Sequence, residues 1–368
     1  MRNFISKYLF LFPGLGDIGG IQKSGMVAYL GLLNQKKILD RSIFVTYENK
    51  KNIHISGLSD QYYKLQNLSK LIITRSKLEI ILRILTIKYP ISMILVWHIH
   101  LLKLIPFLRL HNAPVILFLH GIEAWRTPSF LIKLGLKSVK SFLCNSQYTW
   151  DEFLRYNPDF QNKPHHIVHL GVETPIIGPT PSPSTLPSAL MISRLLHSEN
   201  YKGHREVIRA WPFVLSHIPE ATLWIVGEGD LRSELERMVH ETGLEHSIRF
   251  LGNVEEAEKQ RLILQSRCLV MPSRGEGFGL VYLEAMRLGR PCLVSIWDAG
   301  KEVVNPPEAG LAVDPSDPMA LSRAIVRLLT LDLEWYRWSQ QARKRYEDYF
   351  TSTHFQQRLL SAIQNWIL

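Results

Sequence analysis

Two glutamates, Glu276 and Glu284, lie eight positions apart in the stretch GEGFGLVYLEAM. The glycines between them, Gly277 and Gly279, remove side chains where a ligand would approach the backbone, and the N–H groups that open a following helix attract phosphate. A carboxylate only accepts hydrogen bonds, so Glu284 suits the two hydroxyl donors of a ribose. Glu276 is placed for hydroxyls of a second group, and the spacing predicts a site for sugar, diphosphate and ribose laid end to end.

The same two carboxylates also suit a simpler interpretation. Glu284 could pair with Arg287 one helical turn on, and Glu276 with Arg274 in a surface loop. The spacing alone leaves both interpretations open.

The elements around this stretch predict how it is held. CLVMPS is typical of a strand, RGEGFG of its loop and LVYLEAMRLG of a helix that Gly289 and Pro291 end. Short apolar runs alternate with longer amphipathic ones along the whole chain, which predicts an α/β fold with parallel sheets. The predicted strands are 8–13, 42–47, 92–99, 114–120, 140–146, 165–171, 189–194, 222–229, 247–254, 267–273, 291–296 and 310–315, and helices include 78–88, 149–157, 205–215 and 230–243.

The chain divides at a proline-rich segment. Residues 174–187 contain five prolines and cannot continue a helix or a central strand. We therefore expect two doubly wound, Rossmann-like domains at residues 1–173 and 188–345, and a C-terminal helix at 346–368 that packs back on the first domain. Helix 149–157 is predicted to open with a capping box at Thr149 and Glu152.

The charge distribution limits the classes of binding partner, and the cysteine content indicates the cellular compartment. Residues 1–171 carry 22 Lys and Arg against 9 Asp and Glu, whereas residues 188–368 carry 21 against 23. A basic first domain suits an anionic membrane face or a phosphorylated acceptor, or is simply a solvated surface; no nucleic-acid motif accompanies it. Cys144, Cys268 and Cys292 have no ligand spacing, which favours reduced, buried thiols in the cytoplasm.

Apolar segments of the first half give no membrane-spanning helix. Residues 89–102 fall short of the ~20 apolar residues that a bilayer requires, and the N-terminal apolar stretch is predicted to be a buried strand. Residues 101–112 interleave apolar side chains with Lys103 and Arg109, which suits either a helix at a membrane interface or packing on the sheet. His98 and His100 share a predicted strand face, but without a third ligand they are more typical of a cleft than of a metal site.

Several motifs in order resemble one known family. EGFGLVYLE resembles the E-x7-E motif of retaining glycosyltransferases of the GT-B fold, specifically glycosyltransferase family 4. GDIGGIQKSG is similar to that family's Gly-Gly loop, HGIEAW to its His-Gly segment, and SRLLHSENYKGHREVIRAW to the opening of its second domain. VGEG, FLGNV and GLAVDPSDP are similar to later landmarks. The resemblance implies a GT-B fold, with two Rossmann-like domains facing each other across a cleft.

The resemblance also implies roles for individual residues. His120 would reach the donor sugar, Glu276 would hold it, and Arg194 and Lys202 would neutralise the donor phosphates. The remaining donor-binding positions are Gly19, Gly20, Gly227, Asn253, Val254, Gly277, Phe278, Gly279, Leu280 and Glu284.

The implied activity is transfer of a hexose-type sugar, with retention, from a UDP- or GDP-linked donor to a glycan or lipid-linked acceptor. The second domain would bind the donor and the first the acceptor, in the biosynthesis of cell-surface polysaccharide. No metal or other cofactor is expected, since the chain lacks a convincing Asp-x-Asp loop. A non-catalytic nucleotide-sugar or glycan-binding protein of this fold and a nucleotide-sugar epimerase are the alternatives.

Overall fold

The computed structural model describes residues 6–15, 19–47, 71–87, 89–111 and 113–367, without the side chains of residues 77 and 107–111. The chain forms two compact units. Unit 1 contains residues 1–172 and 352–368, and unit 2 contains residues 173–351. The chain therefore passes from one unit to the other twice.

A seven-stranded parallel sheet forms the centre of unit 1. In space the strands follow the order β3-β2-β1-β4-β5-β6-β7. Six of them match predicted strands, and β3 was not predicted. The strands are β1 (Lys7–Phe12), β2 (Ser42–Tyr47), β3 (Leu71–Thr74), β4 (Ile91–Val96), β5 (Val115–Leu119), β6 (Val139–Cys144) and β7 (His165–Ile167).

Helices cover both faces of this sheet. One face carries a hydrophobic, mainly aliphatic cluster from the strands and from four helical segments, and the other carries aromatic rings such as Phe10, Tyr29 and Phe44. Among the described residues before unit 2, the α-helices are α1 (Gly20–Leu33), α2 (Lys36–Leu39), α3 (Lys77–Leu85), α4 (Phe130–Leu136) and α5 (Gln147–Tyr156), and 3-10 helices span Ile99–His111 and Pro158–Phe160.

The 3-10 helix Ile99–His111 contains most of the segment 101–112, for which the sequence allowed either a helix at a membrane interface or packing on the sheet. Leu101, Leu102, Leu104 and Ile105 are buried in the aliphatic core of unit 1. These residues therefore pack on the sheet, because their apolar side chains are buried in the core.

Two further details of unit 1 correct the sequence predictions. Helix α5 is capped by Ser146, whose hydroxyl accepts a hydrogen bond from the Thr149 N–H at 3.0 Å, so the capping box predicted at Thr149 is wrong. His98 and His100 do not share a strand face, because β4 ends at Val96 and His98 lies in the bend before the 3-10 helix.

Unit 2 has a six-stranded parallel sheet with the order β10-β9-β8-β11-β12-β13. All six strands were predicted, and each is shorter than its predicted range. The strands are β8 (Ser188–Ile192), β9 (Thr222–Val226), β10 (Ile248–Gly252), β11 (Cys268–Met271), β12 (Cys292–Ser295) and β13 (Gly310–Val313).

The helices of unit 2 follow the strands in alternation. The first of these helices follows a 3-10 helix at His197–Lys202. The last one extends to Tyr349, beyond the predicted domain end at position 345. They are α6 (His204–Leu215), α7 (Arg232–Glu241), α8 (Glu256–Gln265), α9 (Leu280–Arg287), α10 (Gly300–Val304), α11 (Pro318–Leu329) and α12 (Leu333–Tyr349).

The C-terminal helix begins later than position 346. Helix α12 continues to Tyr349, and α13 (Ser352–Ile363) then belongs to unit 1, with a 3-10 turn at Gln364–Trp366 behind it. Helix α13 packs against α1, where the Gln356 side chain donates a hydrogen bond to the Val27 carbonyl at 3.0 Å.

The segment 174–187 lies against unit 2. Arg343 donates a hydrogen bond to the Ile176 carbonyl at 2.6 Å, and Arg287 donates one to the Thr174 carbonyl at 2.8 Å. Both sheets have the strand order of doubly wound α/β domains, in which successive strands are first added on one side of the first strand and then on its other side. The predicted fold class of two parallel Rossmann-like domains is confirmed.

Candidate functional site

The candidate site of unit 2 lies at the carboxyl ends of β8 and β11. These strands are neighbours at the point where the order of the sheet reverses, and crevices at such points bind ligands. The loop after β8 contains Arg194 and Lys202, and the loop after β11 contains Glu276, Gly277, Phe278 and Gly279. Six residues that the sequence predicted for the donor site are thereby brought to one edge of the sheet.

Lys202 and Glu276 form an ion pair across these two loops. The Lys202 Nζ lies 2.6 Å from a carboxylate oxygen of Glu276, and the side chains are only 13% and 18% exposed. Burial lowers the pKa of Lys202, but the carboxylate of Glu276 outweighs burial and the net pKa is raised, so the ammonium stays charged. The alternative pairing of Glu276 with Arg274 is not what the structure contains.

Tyr201 joins the charged groups of the two loops. Its ring faces the Lys202 ammonium at 5.2 Å, and its carbonyl accepts a hydrogen bond from the Arg274 N–H at 2.9 Å. Burial raises the pKa of the Tyr201 hydroxyl, which also feels the charges of Glu276 and Arg194. Arg194 itself pairs with Glu199 on the solvent side.

Gly279 opens helix α9 behind this pair. Its φ of +84° is left-handed, and a Cβ there would lie 2.3 Å from the Tyr282 ring. Gly279 has no side chain to cap the helix, and the first turn of α9 contains no acidic residue. Leu280 is the first residue of the helix, and Phe278 is buried.

Glu284 lies one turn into α9 and pairs with a lysine of another helix. A carboxylate oxygen of Glu284 is 2.9 Å from the Nζ of Lys259 on α8, and the Glu284 side chain is 12% exposed. Lys259 also contacts Glu256 at 2.9 Å. Arg287, the partner in the alternative interpretation, pairs instead with Glu173 at 2.6 Å.

Two more predicted donor positions lie beside this region. Gly227 follows β9, and a Cβ there would lie 1.8 Å from the Ser193 carbonyl, so only glycine lets these two loops touch. Asn253 is exposed and Val254 half-buried in the turn between β10 and α8, the helix that carries Lys259.

Asp298 is a functional candidate that sequence reasoning missed. This fully buried carboxylate accepts hydrogen bonds from the Glu276 N–H at 3.1 Å and the Gly300 N–H at 2.9 Å. The Ala299 N–H in turn donates to the Glu276 carbonyl at 3.1 Å, so residues 298–299 hold both backbone groups of Glu276. Burial and the nearby Glu276 charge raise the pKa of Asp298 to about 7, against the opposing effect of its hydrogen bonds.

His120 lies in unit 1, directly after β5. It is buried, and its Nε2 is 2.6 Å from the Trp97 carbonyl, which identifies Nε2 as the protonated nitrogen. Burial lowers the pKa of His120 to about 3, so the imidazole is neutral at pH 7. Burial likewise lowers the pKa of His98 and of His100 to about 4.

Two further polar side chains, both missed from the sequence, hold the His120 turn. Glu123 accepts hydrogen bonds from the N–H groups of His120 and Gly121 at 2.9 and 3.1 Å. Asn145, after β6, donates to the His120 carbonyl at 2.5 Å. In the sequence, Glu123 comes three residues after the predicted strand 114–120, and Asn145 lies near the end of the predicted strand 140–146.

The Gly-Gly segment is the other predicted element in unit 1. Gly19 precedes α1 and Gly20 is its first residue, after the carboxyl end of β1. Residues 16–18 of the predicted loop lie outside the described residues. Unit 1 thus holds His120, Gly19 and Gly20, while unit 2 holds the other predicted site residues.

The described residues contain neither a group of metal-ligating side chains nor a helix that could span a membrane. Within residues 6–15, 19–47, 71–87, 89–111 and 113–367, no three His, Cys, Asp or Glu side chains are grouped to hold a metal ion. Among the helices in those same ranges, none combines the length and the apolar character that crossing a membrane requires. Cys144, Cys268 and Cys292 are buried thiols without disulfides, as predicted.

The part of the chain that contains the unit 2 site matches a known protein family. Residues 187–331 match the profile of the family described as Glycosyl transferases group 1. The chain is 34% identical over 135 residues to the GDP-mannose-dependent monoacylated alpha-(1-6)-phosphatidylinositol monomannoside mannosyltransferase of Corynebacterium glutamicum, covering 35% of each chain. It is 32% identical over 133 residues to O-antigen chain mannosyltransferase C of Escherichia coli, covering 35% of this chain and 36% of that one.

A solved structure matches over nearly the whole length. HepE from Anabaena, crystallised with UDP-glucose, superposes with a TM-score of 0.73 at 17% identity, covering 98% of this chain and 100% of that chain. The fold is therefore that of the GT-B glycosyltransferases. The sequence alignments, by contrast, span little more than a third of each of the two curated relatives.

Proposed function

We propose that this protein is a retaining hexosyltransferase that moves a sugar from a UDP- or GDP-linked donor to a glycan or lipid-linked acceptor. The observation that carries the proposal is the pair of carboxylates, Glu276 and Glu284, on either side of the α9 N-terminus, each held by a lysine. The match of residues 187–331 to a glycosyltransferase family and the names of the two mannosyltransferase relatives support it.

Charge on the leaving group is the first problem that such a reaction poses. As the glycosidic bond breaks, negative charge develops on the phosphate oxygens of the departing nucleotide. Lys202, Arg194 and the N-terminus of α9 would stabilise this charge as preorganised cations and dipoles. In this proposal transfer needs no metal ion, because these groups replace it.

The carboxylates would orient the two ends of the donor. Glu284 would accept hydrogen bonds from the ribose hydroxyls while it pairs with Lys259, and the loop at Asn253 and Val254 would lie beside the base. Glu276 would exchange part of its contact with Lys202 for hydroxyls of the sugar, which frees the ammonium to meet phosphate.

Unit 1 would bind the acceptor and would supply His120 and the Gly-Gly segment to the reaction. The neutral His120 has Nε2–H committed to the Trp97 carbonyl, so Nδ1 is the nitrogen that can accept a hydrogen bond from a sugar hydroxyl. The Gly-Gly segment at Gly19 and Gly20 would let a diphosphate approach the backbone. The buried thiols are consistent with a cytoplasmic location, at the inner face of the membrane, where such an enzyme would build cell-surface polysaccharide.

The test is calorimetric binding of UDP, GDP and ADP, each with and without Mg²⁺ and EDTA. We expect one nucleotide to bind equally well in EDTA, and Glu284→Ala to weaken its binding about 30-fold through loss of a charged acceptor. Glu256→Ala is the matched control, since it removes the other carboxylate that contacts Lys259 and should leave affinity unchanged.

The outcomes separate the proposal from its alternatives. Transfer to an acceptor, with the product keeping the anomeric configuration of the donor by NMR, supports a retaining enzyme. Binding without turnover would instead indicate a non-catalytic sugar-nucleotide-binding protein, and conversion of the donor alone would indicate an epimerase. Absence of binding by all three nucleotides contradicts the donor site.

A further inference from the structure

Helix α3 exposes a row of three leucines. Leu78, Leu82 and Leu85 are 66%, 56% and 48% exposed, and their spacing of four and three residues places them on one face of the helix. Ile80 and Ile84 on another face are buried in the core of unit 1. Helix α3 therefore has apolar side chains both toward the core and toward solvent, and we call the exposed three the leucine ridge.

Helix α4 adds apolar side chains to the same layer. Its first two residues, Phe130 and Leu131, are 80% and 41% exposed. Helices α3 and α4 both pack against the 3-10 helix Ile99–His111, and buried residues of all three share one core cluster on one face of the sheet. The leucine ridge and Phe130 thus belong to a single helical layer of unit 1.

This layer is strongly basic. Residues 71–137, from β3 to the residue after α4, carry nine Lys and Arg and only two Glu. Arg75, Lys133 and Lys137 are exposed. The exposed Arg83 faces Glu79 at 3.8 Å, which is too long and too solvated to cancel much of its charge.

We propose that this layer of unit 1 docks on the surface of an anionic phospholipid bilayer. Exposed leucines that enter the acyl boundary and basic side chains that meet anionic headgroups are the two components of peripheral membrane binding. A second copy of the chain is the less favourable occupant, because two surfaces with the same excess of positive charge repel each other. The inference does not depend on the proposed transfer reaction.

The surface differs from the one that the sequence indicated. Residues 101–105 use their apolar side chains inside unit 1, whereas the ridge on α3 leaves them outside. Sequence periodicity cannot distinguish the two, since both segments mix leucine with basic residues.

Vesicle sedimentation tests the docking surface with the full chain and no nucleotide. We expect the protein to bind vesicles of phosphatidylcholine containing about 30% phosphatidylglycerol, to bind pure phosphatidylcholine much less, and to dissociate as salt is raised. The combined substitutions Leu78→Ser, Leu82→Ser and Leu85→Ser should weaken binding by at least about tenfold.

Leu333→Ser is the matched control, because Leu333 is 89% exposed but lies in unit 2. It should bind vesicles like the wild type. Circular dichroism checks that the triple variant is folded, and Phe130→Ser provides a second, single-site test in the same layer.

Three results would overturn the inference. One is equal binding of the wild type to both vesicle types, and another is unchanged binding by both the triple variant and Phe130→Ser. The third is a lipid-free dimer, measured by light scattering, that the triple variant converts to monomer, which would assign the ridge to self-association. None of these results would alter nucleotide binding, so they leave the proposed function to its own test.

Discussion

Lys202 is the residue whose charge is best placed to act on a leaving phosphate. Its side chain is mostly buried and its ammonium is held 2.6 Å from Glu276. A cation in such a site is preorganised and does not have to be recruited from solvent when charge develops. The contribution of Lys202 should therefore appear in the rate of transfer and not only in donor binding.

We predict that Lys202→Ala lowers kcat by about 100-fold with a smaller change in the donor KM. The physical reason is that the interaction strengthens as charge builds on the phosphate. Steady-state kinetics with the identified donor is the measurement, and Arg274→Ala, an exposed cation in the neighbouring loop, is the control. Full activity in Lys202→Ala would remove Lys202 from the phosphate role.

Asp298 positions Glu276 and should make stability depend on pH. Its native pKa of about 7 lies above the ordinary aspartate pKa of 3.8, so between these values the native state binds the proton that the unfolded state has lost. This single group therefore reduces the free energy of unfolding as pH rises from about 4 to 7, by up to about 1.4 kcal/mol per pH unit. Above pH 7 the effect is constant.

We predict that Asp298→Asn removes this pH dependence and disturbs the Glu276 loop. The difference in Tm between variant and wild type should shift in favour of the variant from pH 4.5 to 7, as measured by calorimetry. The amide can accept from only one of the two N–H groups that now donate to Asp298, so kcat should fall even where the variant is stable. A pH-independent difference in Tm would contradict the raised pKa.

Sequence reasoning at the residue scale found the carboxylates but not their partners. Glu276 and Glu284 stand out because of their spacing around glycines. Lys259 and Asp298 do not, because each acts through a contact that only the fold creates: Lys259 from a different helix and Asp298 from the neighbouring strand's loop.

The start of α9 is the element on which the proposed donor site depends. We predict that Gly279→Ala lowers the free energy of unfolding by about 3 kcal/mol and abolishes nucleotide binding, because its φ is +84° and its Cβ would meet the Tyr282 ring. Chemical denaturation and calorimetry measure the two effects.

Gly243→Ala is the control for backbone strain alone. Its φ is +66°, but nothing lies within 4 Å of the added Cβ. It should cost about 1 kcal/mol and leave nucleotide binding intact. Equal losses of binding in both variants would mean that general destabilisation, and not the α9 entry, explains the Gly279 result.

Most elements could be predicted because their apolar runs are long and bounded by glycine or proline. The strand β3 escaped, since Leu71–Thr74 is a four-residue edge strand that is mostly half-buried. The start of α5 was misplaced because Ser146 and Thr149 are both good N-cap residues, and only the backbone direction after β6 decides between them.

At the scale of the whole molecule, α13 is the element that ties the end of the described chain to unit 1. Phe355, Leu359 and Ile363 are buried there. We predict that truncation after Thr351 costs unit 1 about 5 kcal/mol or more, while unit 2 keeps its fold and its nucleotide affinity.

Limited proteolysis read by mass spectrometry, together with calorimetry, measures this separation. New cleavage sites should appear within residues 71–172 and not within residues 187–331. Phe355→Ala, which keeps the helix and removes one buried ring, should give an intermediate effect. Cleavage spread evenly over both units would contradict the division of the chain.

Because the chain returns to unit 1 after unit 2, it also fixes the order in which the two units are completed during translation. Every element of unit 2 is translated before α13, the helix that completes unit 1 by covering α1. At bacterial or eukaryotic elongation rates this interval is on the order of ten seconds or more. During that time the emerging first unit presents the uncovered apolar flank of α1 to solvent, and a chaperone would meet the nascent protein in this interval.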